Sequence, residues 1–208
     1  VQTCALPICR ARGNRGFCPV REYLGAQGGD RAGLRARAGA RRAGRRPRHR
    51  PAALAGRGAG ADAGPGGKAA LISHICDVEG REFIANEVSE ARAKLVKNVV
   101  GKFPVWVGDG REIATHQKTF GAVIADVPCT GLGALRRRPE VRWRRTVQDL
   151  RALTELQREL ADAAISVLSP EGIFGYATCS PHFAETFGQV KMILKDHPEL
   201  EQLDISPY

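Results

Sequence analysis

The sequence predicts an α/β fold built on a mostly parallel sheet. Three features carry that prediction: from residue 62 onward short β-rich runs alternate with helical patterns, several of those runs end on residues with chemistry to offer, and one long amphipathic stretch spans 147–168. Parallel strands joined by helical crossovers bring their carboxyl ends to one edge, where open α/β sheets bind ligands.

In chain order, a glycine-rich turn at 63–68 is followed by a helical pattern (AALISHI), and strands are expected at 82–88 (EFIANEV), 104–108 (PVWVG), 121–127 (GAVIADV) and 172–178 (GIFGYAT). The clearest helix runs from about 147 to 168, where Leu150, Leu153, Leu156, Leu160, Ala164 and Val167 recur every three or four residues and form one apolar stripe. Pro170 and Gly172 are expected to close it and lead into the next strand. A weaker helix follows at 184–196, and no internal repeat is visible.

The formal charge of +10 is distributed unevenly. Residues 1–61 hold 14 arginines and no lysine against Glu22 and Asp30, whereas residues 62–208 hold 18 basic and 20 acidic residues. Residues 25–61 are nearly all Gly, Ala, Arg and Pro, with too few branched apolar side chains to offset the entropy of ordering. The expected division is therefore a basic Arg/Gly/Ala-rich leader over 1–61, disordered or non-native (VQTCALPI resembles adapter sequence, the rest a shifted reading frame), and a core over 62–208. None of the six cysteines stands in C-x-x-C spacing, which argues against structural zinc or a dithiol redox site, so no metal is expected. No run of 18 apolar residues and no signal-peptide apolar region occurs, so a soluble, cytoplasmic, monomeric protein with reduced thiols is expected.

The turn Ala63-Gly64-Pro65-Gly66-Gly67-Lys68 opens a helix, which gathers backbone N–H groups suited to an anionic or zwitterionic ligand. A Walker P-loop fails here, because Asp62 stands at its first glycine and Ala69 at its magnesium-binding hydroxyl. Glu87 ends the next strand, some 20 residues on, where a carboxylate suits a ribose diol; Asp109 ends the one after, within reach of an amino group. Either acid could equally cap a turn or helix. Asp126-Val127-Pro128-Cys129 and Thr178-Cys179-Ser180-Pro181 each place a cysteine past a strand end. A single cysteine is more often a small buried hydrophobe than a nucleophile, but two at matching strand ends point to chemistry. Finally, Arg136, Arg137, Arg138, Arg142, Trp143, Arg144 and Arg145 form an arginine run with an interleaved indole, suited to phosphates and an unstacked base of single-stranded RNA.

Taken together, AGPGGK, FIANEVSEAR, VGDG, ADVPCTGLGALRRRPEVRW, LQRELADAA and YATCSPHFAE, in this order between about Ala63 and Pro198, resemble the RNA cytosine-5 methyltransferases of the Nol1/Nop2/Sun group, especially the bacterial Sun/Fmu type acting on 16S ribosomal RNA. The resemblance implies a class I (Rossmann-like) S-adenosylmethionine-dependent methyltransferase fold with the cofactor over Ala63–Lys68, Glu87 on its ribose, Asp109 near its adenine and Asp126 close to the methyl-donor end and the target base. It also implies that Cys179 is the nucleophile and Cys129 assists product release, with RNA as partner.

The family's apolar strand before AGPGGK has no clear counterpart here, since Gly60-Ala61-Asp62 follow Arg and Gly. The first strand is left in doubt, the last two strands of the sheet are expected to be missing, and the polypeptide is expected to be poorly stable and inactive alone despite its intact motifs. A non-catalytic RNA-binding protein, or an inactive methyltransferase fragment, is the alternative; a cysteine hydrolase lacks support because no histidine stands in a pairing context with Cys179.

Overall fold

The computed structural model describes residues 66–203, apart from the Glu171 side chain, together with the backbone of Cys4–Ala5, Cys9–Ala11 and Ala52–Gly56. These three segments are strands β1, β2 and β3. Helix α1 (Gly67–Val78), β4 (Phe83–Glu87), α2 (Glu90–Val100) and β5 (Val105–Val107) follow. A 3-10 turn over Gly110–His116 leads to β6 (Phe120–Asp126), the one-turn α3 (Val141–Arg144) and the long α4 (Val147–Ser166). Strand β7 (Leu168–Thr178), a 3-10 turn at Phe183–Glu185, α5 (Phe187–Asp196) and β8 (Leu200–Gln202) complete the order.

The sheet runs β5-β4-β3-β6-β7-β2-β8, with β1 also on β7. All pairings from β5 to β7 are parallel, while β1 and β2 lie antiparallel to β7. The expected α/β architecture is therefore present, as a Rossmann-like sheet. Its central strand, left in doubt by the sequence, is Ala52–Gly56, which pairs with β4 on one side and β6 on the other. The stretch AALAG carries no β-branched residue, so its extended form comes from two flanking ladders rather than from local preference. Beyond β7 the sheet continues through β2 and β8.

Strand β6 explains why the core has two faces. Val123 and Ala125 point into a cluster with Leu160, Ala164 and Phe174 beneath α4, while Ala122 and Ile124 pack with Ala69, Ile72, Phe83 and Val96 beneath α1 and α2. A strand buried on both sides reads as an unbroken apolar run, as GAVIADV does. Helix α4 begins with a capping box in which Thr146 and Asp149 satisfy each other's backbone N–H groups. Its predicted stripe is buried at Leu160 and Ala164, and the helix ends at Ser166, before Pro170. Strand β7 starts earlier than expected, at Leu168, and the β6–β7 register shifts between Phe120 and Ala122 to accommodate the extra residues.

Candidate active site

The order β4-β3-β6-β7 places a topological switch point between β3 and β6, and the predicted site residues converge outside it. Ala63, Gly64 and Pro65 lie outside the described residues. Gly66 caps α1 in a left-handed conformation (φ 103°), and a Cβ there would meet the Val99 side chain at 2.5 Å. Gly67 opens the helix, and Lys68 reaches across to donate to Asp126 Oδ2 at 3.0 Å. This ion pair joins the glycine turn to the end of β6.

Glu87 is buried at the end of β4, and its Oε1 accepts from the Ser89 N–H at 3.0 Å and from Arg92 Nε and Nη2 at 3.1 and 2.8 Å. Asp109 caps the following 3-10 turn and holds Arg111 through both carboxylate oxygens; Arg111 also reaches Glu159 at 2.8 Å. Both acids thus occupy the expected strand ends while serving locally as caps and ion-pair partners. Beside them, Asn86 Oδ1 is buried with no hydrogen-bond donor among the described residues.

The register Asp126↔Ala177 aligns β6 with β7 and carries Cys129 and Cys179 to the same mouth. Their sulfurs lie 2.9 Å apart, in hydrogen-bond contact. Cys129 is buried, whereas Cys179 is half-buried. A thiolate on Cys129 accepts from the Cys179 thiol, then from Thr178 and the backbone N–H groups of Gly131 and Cys179; these outweigh burial and bring its pKa down to about 6. The Cys179 thiol is pushed up, first because it donates to Cys129 and then by burial and by the charges of Cys129 and Asp126, with Lys68 opposing. The two sulfurs therefore titrate as one unit that carries a single negative charge at neutral pH. Cys76 differs: it is fully buried and desolvation raises its thiol to about 11, which leaves it an inert part of the core.

This contrast gives a first expected result. Alkylation of the 129/179 pair, followed by peptide mass mapping against pH, should rise through about pH 6 and then level off, while Cys76 stays unlabelled in folded protein. A rise only near the ordinary thiol range, about 8.5, would contradict the shared-proton geometry.

Arg136, Arg137, Arg142 and Arg144 are exposed, Arg138 is half-buried, and Trp143 is 81% exposed on α3. Arg145, one residue further, donates to the Thr130 carbonyl at 3.2 Å and so anchors the arginine segment to the Cys129 loop. Behind the sulfurs lies a buried polar cluster of Thr130, Gln157, Tyr176, Ser180 and Glu185. Sequence reasoning missed its role; Gln157 gave one signal, as a polar residue inside the apolar stripe of α4.

Residues 60–207 match the family described as 16S rRNA methyltransferase RsmB/F. The chain belongs to that family. Among curated relatives, a candidate methyltransferase of Mycobacterium tuberculosis H37Rv is 48% identical over 147 residues, covering 70% of this chain and 32% of that protein. The ribosomal RNA small subunit methyltransferase B of Vibrio vulnificus YJ016 is 38% identical over 143 residues, covering 65% of this chain and 33% of that protein. This chain therefore spans about a third of the length of these curated relatives. The crystal structure of PH0851 superposes with TM-score 0.63 at 26% identity, covering 72% of this chain and 34% of that one. A methyltransferase homolog from Pyrococcus horikoshii gives 0.56 at 25% identity, covering 71% and 45%.

Family and fold make S-adenosylmethionine the cofactor, and the residues present fit it. The glycine-capped helix start offers backbone N–H donors, the ion-paired carboxylates of Glu87, Asp109 and Asp126 near three strand ends offer acceptors for hydroxyls, amino groups and positive charge, and Asn86 Oδ1 is an orphaned acceptor buried beside them. Among the described residues no helix is long and apolar enough to cross a membrane.

Proposed function

We propose that residues 62–208, completed by strand β3, form the catalytic core of an enzyme that methylates carbon 5 of a cytosine in 16S ribosomal RNA through a covalent bond between Cys179 and the base. The observation that carries this reading is the pair of sulfurs 2.9 Å apart at the mouth of adjacent parallel strands.

Cytosine carbon 5 is a poor nucleophile until a thiolate adds to carbon 6 and makes the ring enamine-like. The Cys179 proton passes to the Cys129 sulfur as the Cys179 sulfur forms its bond to carbon 6. Asp126, fixed by Lys68, accepts a hydrogen bond from the amino group on the base edge and so orients the ring. Bound S-adenosylmethionine supplies an electrophilic methyl group, held by Gly66, Gly67 and Lys68 at the turn and by Glu87 and Asp109 at the nucleoside. Once carbon 5 has lost its proton to solvent, the Cys179–carbon 6 bond breaks and Cys129 returns the proton to the departing sulfur. The target base must leave its stack, and Trp143 with Arg136, Arg137, Arg138, Arg142 and Arg144 is suited to hold the flanking strand.

The test is covalent capture. A 16S RNA fragment containing 5-fluorocytidine, incubated with the chain and S-adenosylmethionine, should give an RNA–protein adduct that survives denaturing electrophoresis, because fluorine at carbon 5 blocks the elimination. Absence of both adduct and radiolabelled methyl transfer sinks the proposal. For the RNA surface, Arg142→Ala with Arg144→Ala should weaken RNA binding and flatten its salt dependence by a log–log slope of about 2, leaving cofactor affinity unchanged. Anisotropy titrations over a salt series measure it.

A further inference from the structure

Two loops carry the sulfurs, and nothing in their separate sequences sets the distance between them. The hydrogen bonds behind the site do. Glu185 belongs to the 3-10 turn just beyond Cys179 and is fully buried. Its Oε1 accepts from the Thr130 N–H at 2.8 Å and from Gln157 Nε2 at 3.0 Å, and its Oε2 accepts from the Thr130 hydroxyl at 2.5 Å. The Thr130 hydroxyl also lies 3.2 Å from the Ser180 hydroxyl, so the residue after Cys129 meets the residue after Cys179. Gln157 donates as well to the Pro128 carbonyl at 2.8 Å, which pins the residue before Cys129. Tyr176 shares its hydroxyl proton between Gln157 Oε1 at 3.0 Å and the Glu185 carbonyl at 3.1 Å; burial, with the charges of Glu185 and Cys129 adding, pushes its phenol up and keeps it a donor.

We infer that Glu185 is a positioning residue: its carboxylate clamps the Pro128–Thr130 loop to the Cys179–Ser180 loop and so sets the contact between the two sulfurs. A buried carboxylate costs free energy that an apolar residue of its size would not, and one that sits on the segment after Cys179 while taking its donors from the Cys129 loop and the intervening helix has a geometric use. Arg145 docks on the same Thr130, so the arginine segment and the sulfurs share one anchor. The inference rests on reading the sulfurs as reaction partners, but its test needs neither RNA nor cofactor.

Thiol alkylation against pH is measured on the full chain for the parent, Glu185→Ala and Glu185→Gln, each checked for folding by circular dichroism and thermal melting. In Glu185→Ala the inflection should move from about 6 toward the ordinary thiol range near 8.5, with labelling at pH 6.5 slowed on the order of 10-fold. Glu185→Gln should keep a profile close to the parent's, because its amide oxygen accepts from Thr130 N–H and Gln157 while its nitrogen faces the Thr130 hydroxyl. A folded Glu185→Ala with the parent's profile overturns the inference, since a merely stabilising residue would change only the melt. A Glu185→Gln that behaves like Glu185→Ala overturns it too, because charge rather than the clamp would then matter. Should Glu185→Ala fail to fold, Thr130→Val removes the shared hydroxyl at constant shape; a partial upward shift supports the clamp and a parent-like profile refutes it. Failure of methyl transfer in the parent would bear on the proposed reaction alone.

Discussion

Cys179→Ser is expected to abolish both the fluorocytidine adduct and methyl transfer, lowering kcat by on the order of 10⁴-fold or more, the scale seen when a covalent nucleophile is removed. Serine matches the shape of cysteine, but its hydroxyl is far less acidic than a thiol, and a neighbouring thiolate is too weak a base to deprotonate it. Affinity for S-adenosylmethionine should be unchanged, because the glycine turn, Glu87 and Asp109 lie on other strand ends. Cys129→Ser has a different signature. Addition at carbon 6 remains possible once Cys179 ionises by itself, but the group that returns its proton is lost. The adduct should therefore form and persist with ordinary cytidine RNA, while turnover falls by about 10²- to 10³-fold, the range of proton-transfer catalysis. Single-turnover assays with denaturing gels read both variants. An adduct that survives Cys179→Ser and disappears in Cys129→Ser would exchange the two roles.

How much of this was legible in the sequence depends on whether the signal was local. Strands β4, β5 and β6 fall within two residues of their predicted bounds because apolar runs bounded by Gly, Pro and acids are local features. Ala52–Gly56 was not legible, since it sits in an Arg/Gly/Ala tract and owes its strand state to partners far along the chain. The start of β7 was misjudged for a related reason: Pro170 reads as a breaker, yet the strand carries it where its register against β6 slips. At the site, both cysteines and the carboxylates were visible as motif residues, but the sulfur–sulfur contact was not, because 50 residues separate them and only the Asp126↔Ala177 register brings them together. Glu185 was overlooked because nothing local in SPHFAE marks that acid as buried. Its burial becomes apparent only when the Cys129 loop folds over it.

Gly133→Ala should be the most damaging substitution outside the reacting groups. The Gly133 N–H donates to the Cys179 carbonyl at 3.0 Å, which ties the two loops in front of the sulfurs as Glu185 does behind them. A Cβ at Gly133 would lie 2.2 Å from that carbonyl oxygen and 3.2 Å from its carbon. Both are backbone atoms, so no rotamer change relieves the clash and one loop must move by about 1 Å. A displacement of that size at reacting atoms costs on the order of 10²-fold in rate, and overpacking of this kind costs about 1–3 kcal/mol of stability. Gly101→Ala is the control, because Gly101 has a positive φ (60°) but open space around its would-be Cβ. It should lose about 1–3 kcal/mol of stability from backbone strain alone and keep both the thiol titration and the rate. If Gly133→Ala retains the parent's kcat, the separation of the two sulfurs does not govern the chemistry.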